Sequence, residues 1–146
     1  MKSLFEEDSY QHVKKRINTL SQQHQPQWGK MSVGQMVTHC QYPLKVALDD
    51  RPRKRIFNPL PLLFKTSMYN DKPWRKNLPT IKVAKITDQR DLDQERSKLL
   101  ALIDGFYEKR TQTEWQVHPF FGKLTPEQWG KMQYKHLDHH LTQFGV

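Results

Sequence analysis

The sequence predicts an all-α fold: an antiparallel four-helix bundle with a long irregular crossover between helices 2 and 3, forming one domain over residues 1–146. Three observations carry this. Four segments place apolar residues three and four apart, the repeat of one helical face. Two of them open with capping boxes, Ser32-Val-Gly-Gln35 and Thr125-Pro-Glu-Gln128, where hydroxyl and amide satisfy each other's backbone donors. No stretch alternates apolar and polar residues persuasively, apart from a short extended piece at Thr80–Ile86.

The first helix runs from about Glu6 to Gln23. Tyr10, Val13, Ile17 and Leu20 share one face, Lys14, Lys15 and Arg16 fill the other, and Pro26 follows the stop. The second begins after Ser32 and carries Val33, Met36, Val37, Cys40, Leu44 and Ala47 as an apolar stripe. Pro43 lacks an N–H and is expected to kink or end it. The third starts near Thr87 or Asp88 and reaches about Arg110, with Leu92, Leu99, Ile103 and Phe106 facing one way. Its early acids and late Lys109 and Arg110 match the helix dipole. The fourth has Thr125 as cap and Pro126 at its first position, runs to about Phe144 and stops at Gly145.

The crossover between the second and third helices is rich in proline (Pro52, Pro59, Pro61, Pro73, Pro79) and too long for an ordinary loop. Ile56, Phe57, Leu60, Leu62, Leu63, Phe64, Met68, Tyr69 and Trp74 predict that it packs, with a short helix around Leu60–Tyr69. It also holds the charge. Between Arg51 and Lys85 ten lysines and arginines meet one acid, Asp71, whereas the rest of the chain is balanced. The whole formal excess of +9 therefore lies in one segment. That is either a patch for an anionic partner (substrate, nucleic acid or phospholipid headgroups) or a solvated surface loop.

Several classes are excluded or disfavoured. The longest apolar run, Leu99–Ile103, is too short to span a bilayer, so no membrane partner is expected. The N-terminus lacks the apolar core of a signal peptide, and a lone cysteine, Cys40, makes no internal disulfide, which together point to the cytoplasm. In its apolar stripe Cys40 reads as a small buried hydrophobe. No glycine-rich phosphate loop, Ser-His-Asp ordering, paired-carboxylate motif or DNA-binding motif is visible.

The histidines are the chemical signal. His136 and His140 stand four apart on the last helix, about 40° from each other at roughly 100° per residue. They sit at the edge of the buried arc, beside Trp129 and Gln133. His139 points away, towards water or a neighbouring helix. Two imidazoles on one face can grip a divalent ion, and alternatively can bond other side chains or lie at the bundle surface. A third ligand has to come from another helix. His39, beside the stripe of the second helix, is the candidate; His12 looks exposed, and His24 and His118 lie in loops. Gln35, Gln133, Asp138 and Gln143 are available to orient the rings.

Trp28-Gly-Lys-Met-Ser-Val-Gly-Gln-Met-Val-Thr-His39, His118-Pro-Phe-Phe-Gly-Lys-Leu-Thr-Pro-Glu-Gln-Trp129 and Lys135-His-Leu-Asp-His-His-Leu-Thr-Gln-Phe144 resemble an uncharacterised bacterial subgroup of the DinB/YfiT-like superfamily. The resemblance covers most of the chain and is vague across Arg51–Leu78. It implies a four-helix bundle with a metal site of one histidine on the second helix and a His-x-x-x-His pair on the last, matching His39, His136 and His140. It also implies zinc or nickel and the chemistry of thiol-dependent transferases or an isomerase; related bundles often form homodimers. A metal that activates a bound water or thiol would serve hydrolysis or thiol-dependent transfer, and the basic segment suits a small anionic or thiol-containing substrate. The other expectation is a non-catalytic binding module whose basic segment 51–85 contacts nucleic acid or another anionic partner.

Overall fold

The computed structural model describes residues 1–51 and 60–146. In chain order its helices are α1 (Glu7–Thr19), α2 (Val33–Leu48), the one-turn α3 (Leu60–Leu63), α4 (Leu92–Glu108) and α5 (Pro126–Gln143). The four long ones are those the apolar periodicity predicts. α4 and α5 each pack against both α1 and α2, so the four apolar stripes meet in one core. Val13 and Ile17 of α1, Val37 and Leu44 of α2 and Ile103 and Phe106 of α4 are fully buried there.

Both predicted capping boxes form. Ser32 Oγ and Thr125 Oγ1 accept from the backbone N–H of Gln35 and Gln128, and each glutamine accepts in return from the cap's own N–H. The ends differ in detail. α1 stops at Thr19 rather than Gln23, because Leu20 turns extended and buries itself in the core. α4 starts later than Thr87 or Asp88. Asp91 is its cap, accepting from Gln94 N at 2.8 Å, while the Asp88 carbonyl accepts from Gln35 Nε2.

Pro43 does not end α2, which runs unbroken to Leu48. A proline inside a helix costs about 3 kcal/mol. Burial of Leu44, Val46 and Ala47 beyond it, where α2 packs on α4, offsets that. The crossover also departs from expectation. Thr80–Ile86 is not extended but holds a 3-10 turn at Lys82–Ala84, and no strand occurs among the described residues. No neighbouring strand is there to satisfy its backbone. The helix expected around Leu60–Tyr69 divides into α3 and a 3-10 turn at Lys65–Met68. The expectations for Pro52, Arg53, Lys54, Arg55, Ile56, Phe57 and Pro59 fall outside the described residues.

Candidate metal centre

The α2–α5 seam brings His39, His136 and His140 together. One ring nitrogen from each lies within 4.8 Å of the others, and the ring centroids form a near-equilateral triangle with sides of 4.8, 4.8 and 5.0 Å. All three rings are buried, exposed by only 7–8 %. Among the described residues no cysteine or carboxylate joins them.

Two rings are braced from behind. His39 Nδ1 lies 2.8 Å from the Ala84 carbonyl, which can only accept, so Nδ1 carries the proton and Nε2 a lone pair. His140 Nδ1 lies 2.8 Å from Gln143 Oε1. The orientation of that amide is set independently, because Gln143 Nε2 donates to the Trp28 carbonyl. His140 Nδ1 is thus also the donor, and its Nε2 is free to ligate. Gly29 permits this approach: its φ is +84°, and a Cβ there would come within 2.7 Å of Gln143 Nε2.

His136 has no brace. Its Nδ1 is buried without a hydrogen-bond partner, and its Nε2 lies 3.1 Å from His39 Nε2. A proton on Nδ1 leaves two lone pairs facing each other. A proton on Nε2 instead bonds His39 and strands the Nδ1 lone pair. A cation shared by the Nε2 atoms removes the first conflict, and 3.1 Å suits two ligands of one ion, which at about 2.0–2.1 Å from it sit roughly 3–3.5 Å apart. The residues therefore fit a divalent ion.

Burial also keeps the rings neutral, the form a metal needs. It is the main force lowering the pKa of His136 well below the imidazole range, with His140 and His39 adding to it. It takes His140 down to about 3, with His39 adding to it. His39 is lowered by burial against the opposing pull of the Ala84 carbonyl.

The other predicted residues fall outside the triangle. The His139 ring lies 5.2 Å from the His140 ring and between Trp28 and Trp74, tilted against both at 5.6 Å. His12 is exposed, His24 bonds Ser21, and His118 is buried in the turn before α5, accepting from the N–H groups of Phe120 and Phe121. Of the four polar side chains offered as ring partners, only Gln143 reaches a ring. Gln35 serves the α2 cap, Gln133 donates to the Pro43 carbonyl, and Asp138 pairs with Arg16. Trp129 is plain core, and burial pushes the Cys40 thiol far above its usual range, so it is no nucleophile.

Sequence reasoning missed three participants. The Ala84 carbonyl carries no side-chain signal at all. Trp74 stands edge-on to His136 at 5.8 Å. Lys135, buried, fastens the crossover to α5 by donating to the Ser67 and Asn70 carbonyls and to Asn70 Oδ1 at 2.7–2.8 Å. Its place directly before His136 was the available clue.

The chain belongs to a family described only as protein of unknown function (DUF1569), matched over residues 3–145. No curated protein and no solved structure matches it.

Proposed function

We propose that this DUF1569 protein is a metal-dependent enzyme of the DinB/YfiT-like kind, with one divalent ion, zinc or nickel, held by Nε2 of His39, His136 and His140. The observation that carries the reading is the unbraced His136, whose ring cannot satisfy both nitrogens while facing His39 at 3.1 Å. When bound, the ion supplies Lewis acidity towards a water or thiol, the requirement of hydrolysis and thiol transfer alike.

The chain's own residues set the terms. The Ala84 carbonyl and Gln143 hold two rings in the ligating tautomer. Three neutral imidazoles leave the ion's double charge uncompensated, which favours an anionic or thiol-bearing small substrate. Trp74 and His139 line the His136 side with aromatic surface and restrict water there. A cytoplasmic location and a homodimer complete the proposal.

Elemental analysis of protein purified without an affinity tag tests it. The expected result is about one metal ion per chain, lost in His136→Ala. Wild-type protein that stays metal-free after incubation with zinc and with nickel overturns it. A screen with several low-molecular-weight thiols and hydrolysable esters then separates transfer from hydrolysis.

A further inference from the structure

The crossover combines two properties that seldom share a surface. All six exposed large hydrophobic side chains among the described residues lie in it: Leu62, Leu63, Phe64, Leu78, Ile81 and Val83. Leu63 is 78 % exposed and Phe64 60 %. The same stretch, residues 60–85, holds six lysines and arginines and one acid, Asp71, which is occupied by the N-terminal amine. Lys72, Arg75, Lys82 and Lys85 are exposed and make no ion pair among the described residues.

The two properties meet at one place. Trp74 Nε1 donates to the Ser67 carbonyl at 2.8 Å, and Ser67 Oγ donates to the Phe64 carbonyl at 2.6 Å. These bonds hold the Lys72–Arg75 segment against the 3-10 turn at Lys65–Met68, which directly follows Leu63 and Phe64. Lys135 pins the assembly to α5, so the apolar tip and its cations ride on a fixed platform rather than a loose loop.

We propose that this face, built on Leu63, Phe64, Lys72 and Arg75, docks on an anionic lipid surface. Aliphatic tips suit the acyl boundary, and unpaired cations suit acidic headgroups. A second copy of the chain would set like charges against each other. Nucleic acid would leave Leu62 and Leu63 without use, because bases stack on aromatic rings, not on leucines. The absence of a helix able to cross a membrane bears only on spanning, not on surface binding.

Sedimentation with lipid vesicles tests this, independently of any metal. Full-length protein should co-sediment with phosphatidylcholine vesicles carrying about 30 mol% phosphatidylglycerol, and not with pure phosphatidylcholine, because headgroup charge supplies part of the attraction. The double variant Leu63→Ser/Phe64→Ser changes only exposed side chains and should weaken binding about tenfold or more; Lys72→Glu/Arg75→Glu should do the same and lessen the salt dependence. No vesicle binding, equal binding to neutral vesicles, or vesicle binding unchanged by both double variants overturns the proposal. So does a salt-sensitive complex with duplex DNA that outcompetes vesicles, or a dimer in ultracentrifugation that Phe64→Ser dissolves.

Discussion

Two buried polar clusters flank α2, and they are finished to different degrees. Towards α4, Gln41 Nε2 donates to Glu95 Oε2 at 2.6 Å and to the Glu95 carbonyl at 3.2 Å, while Gln41 Oε1 accepts from Lys45. The other Glu95 oxygen accepts from Lys98 at 2.7 Å. Burial alone would raise the Glu95 pKa, but the hydrogen bonds from Lys98 and Gln41 outweigh it and hold the carboxyl below its usual range. Every polar atom of that pair is answered from within the chain. Towards α5, the three histidines present lone pairs to one another and His136 Nδ1 has no partner. A cluster that closes on itself is structure; one that stays chemically incomplete is a place for something from outside.

The largest expected effect separates the two clusters. His136→Ala should abolish metal retention, whereas Gln41→Leu should keep the full complement and destabilise the fold by about 1–3 kcal/mol, the cost of stranding buried Glu95. Denaturant unfolding and elemental analysis on both variants check this, and metal loss in Gln41→Leu would erase the distinction.

Next in size is the brace behind His140. Gln143→Leu removes the acceptor for Nδ1–H and should weaken metal affinity about 10–100-fold, measured by competition with a chromogenic chelator. An affinity equal to wild type would mean that the ring needs no orientation from Gln143.

The smallest effect is a division of the pH axis in chelator-treated protein. His140 titrates at about 3 in the fold against 6.5 in the unfolded chain. Between these values the unfolded state holds the extra proton, so this stability is complete above about pH 6.5 and declines as pH falls towards 3, by up to about 1.4 kcal/mol per pH unit. Glu95 is lowered from 4.5, so its contribution is lost only below that value. Thermal melts between pH 6.5 and 4.5 should therefore decline in wild type and decline less steeply in His140→Gln. Identical slopes would place the acid sensitivity outside His140.

Much of this was legible in the residues. Ser32 and Thr125 announced two helix starts, because a capping box is a contact between residues three apart and needs nothing distant. The i, i+4 spacing of His136 and His140 likewise placed two rings side by side, and the wheel set His139 apart from them. His39 was harder to place. Its depth along α2 was consistent with meeting the pair, but the DinB/YfiT-like resemblance made it the stronger candidate. Of the kink or end expected at Pro43, the end did not occur, because a local backbone penalty lost to burial of the turn beyond it.

The existence of the four long helices, the two capping boxes and the paired histidines was settled by the sequence alone, since each depends on residues within a turn or two of one another. Only the tertiary structure decided that His39 Nε2 meets His136 Nε2, that a backbone carbonyl at Ala84 and an amide at Gln143 choose the tautomers, and that Trp74 stands beside them. Such convergence depends on how helices pack and where a crossover lands, and a main-chain oxygen has the same chemistry in every residue, so no local pattern could have marked it.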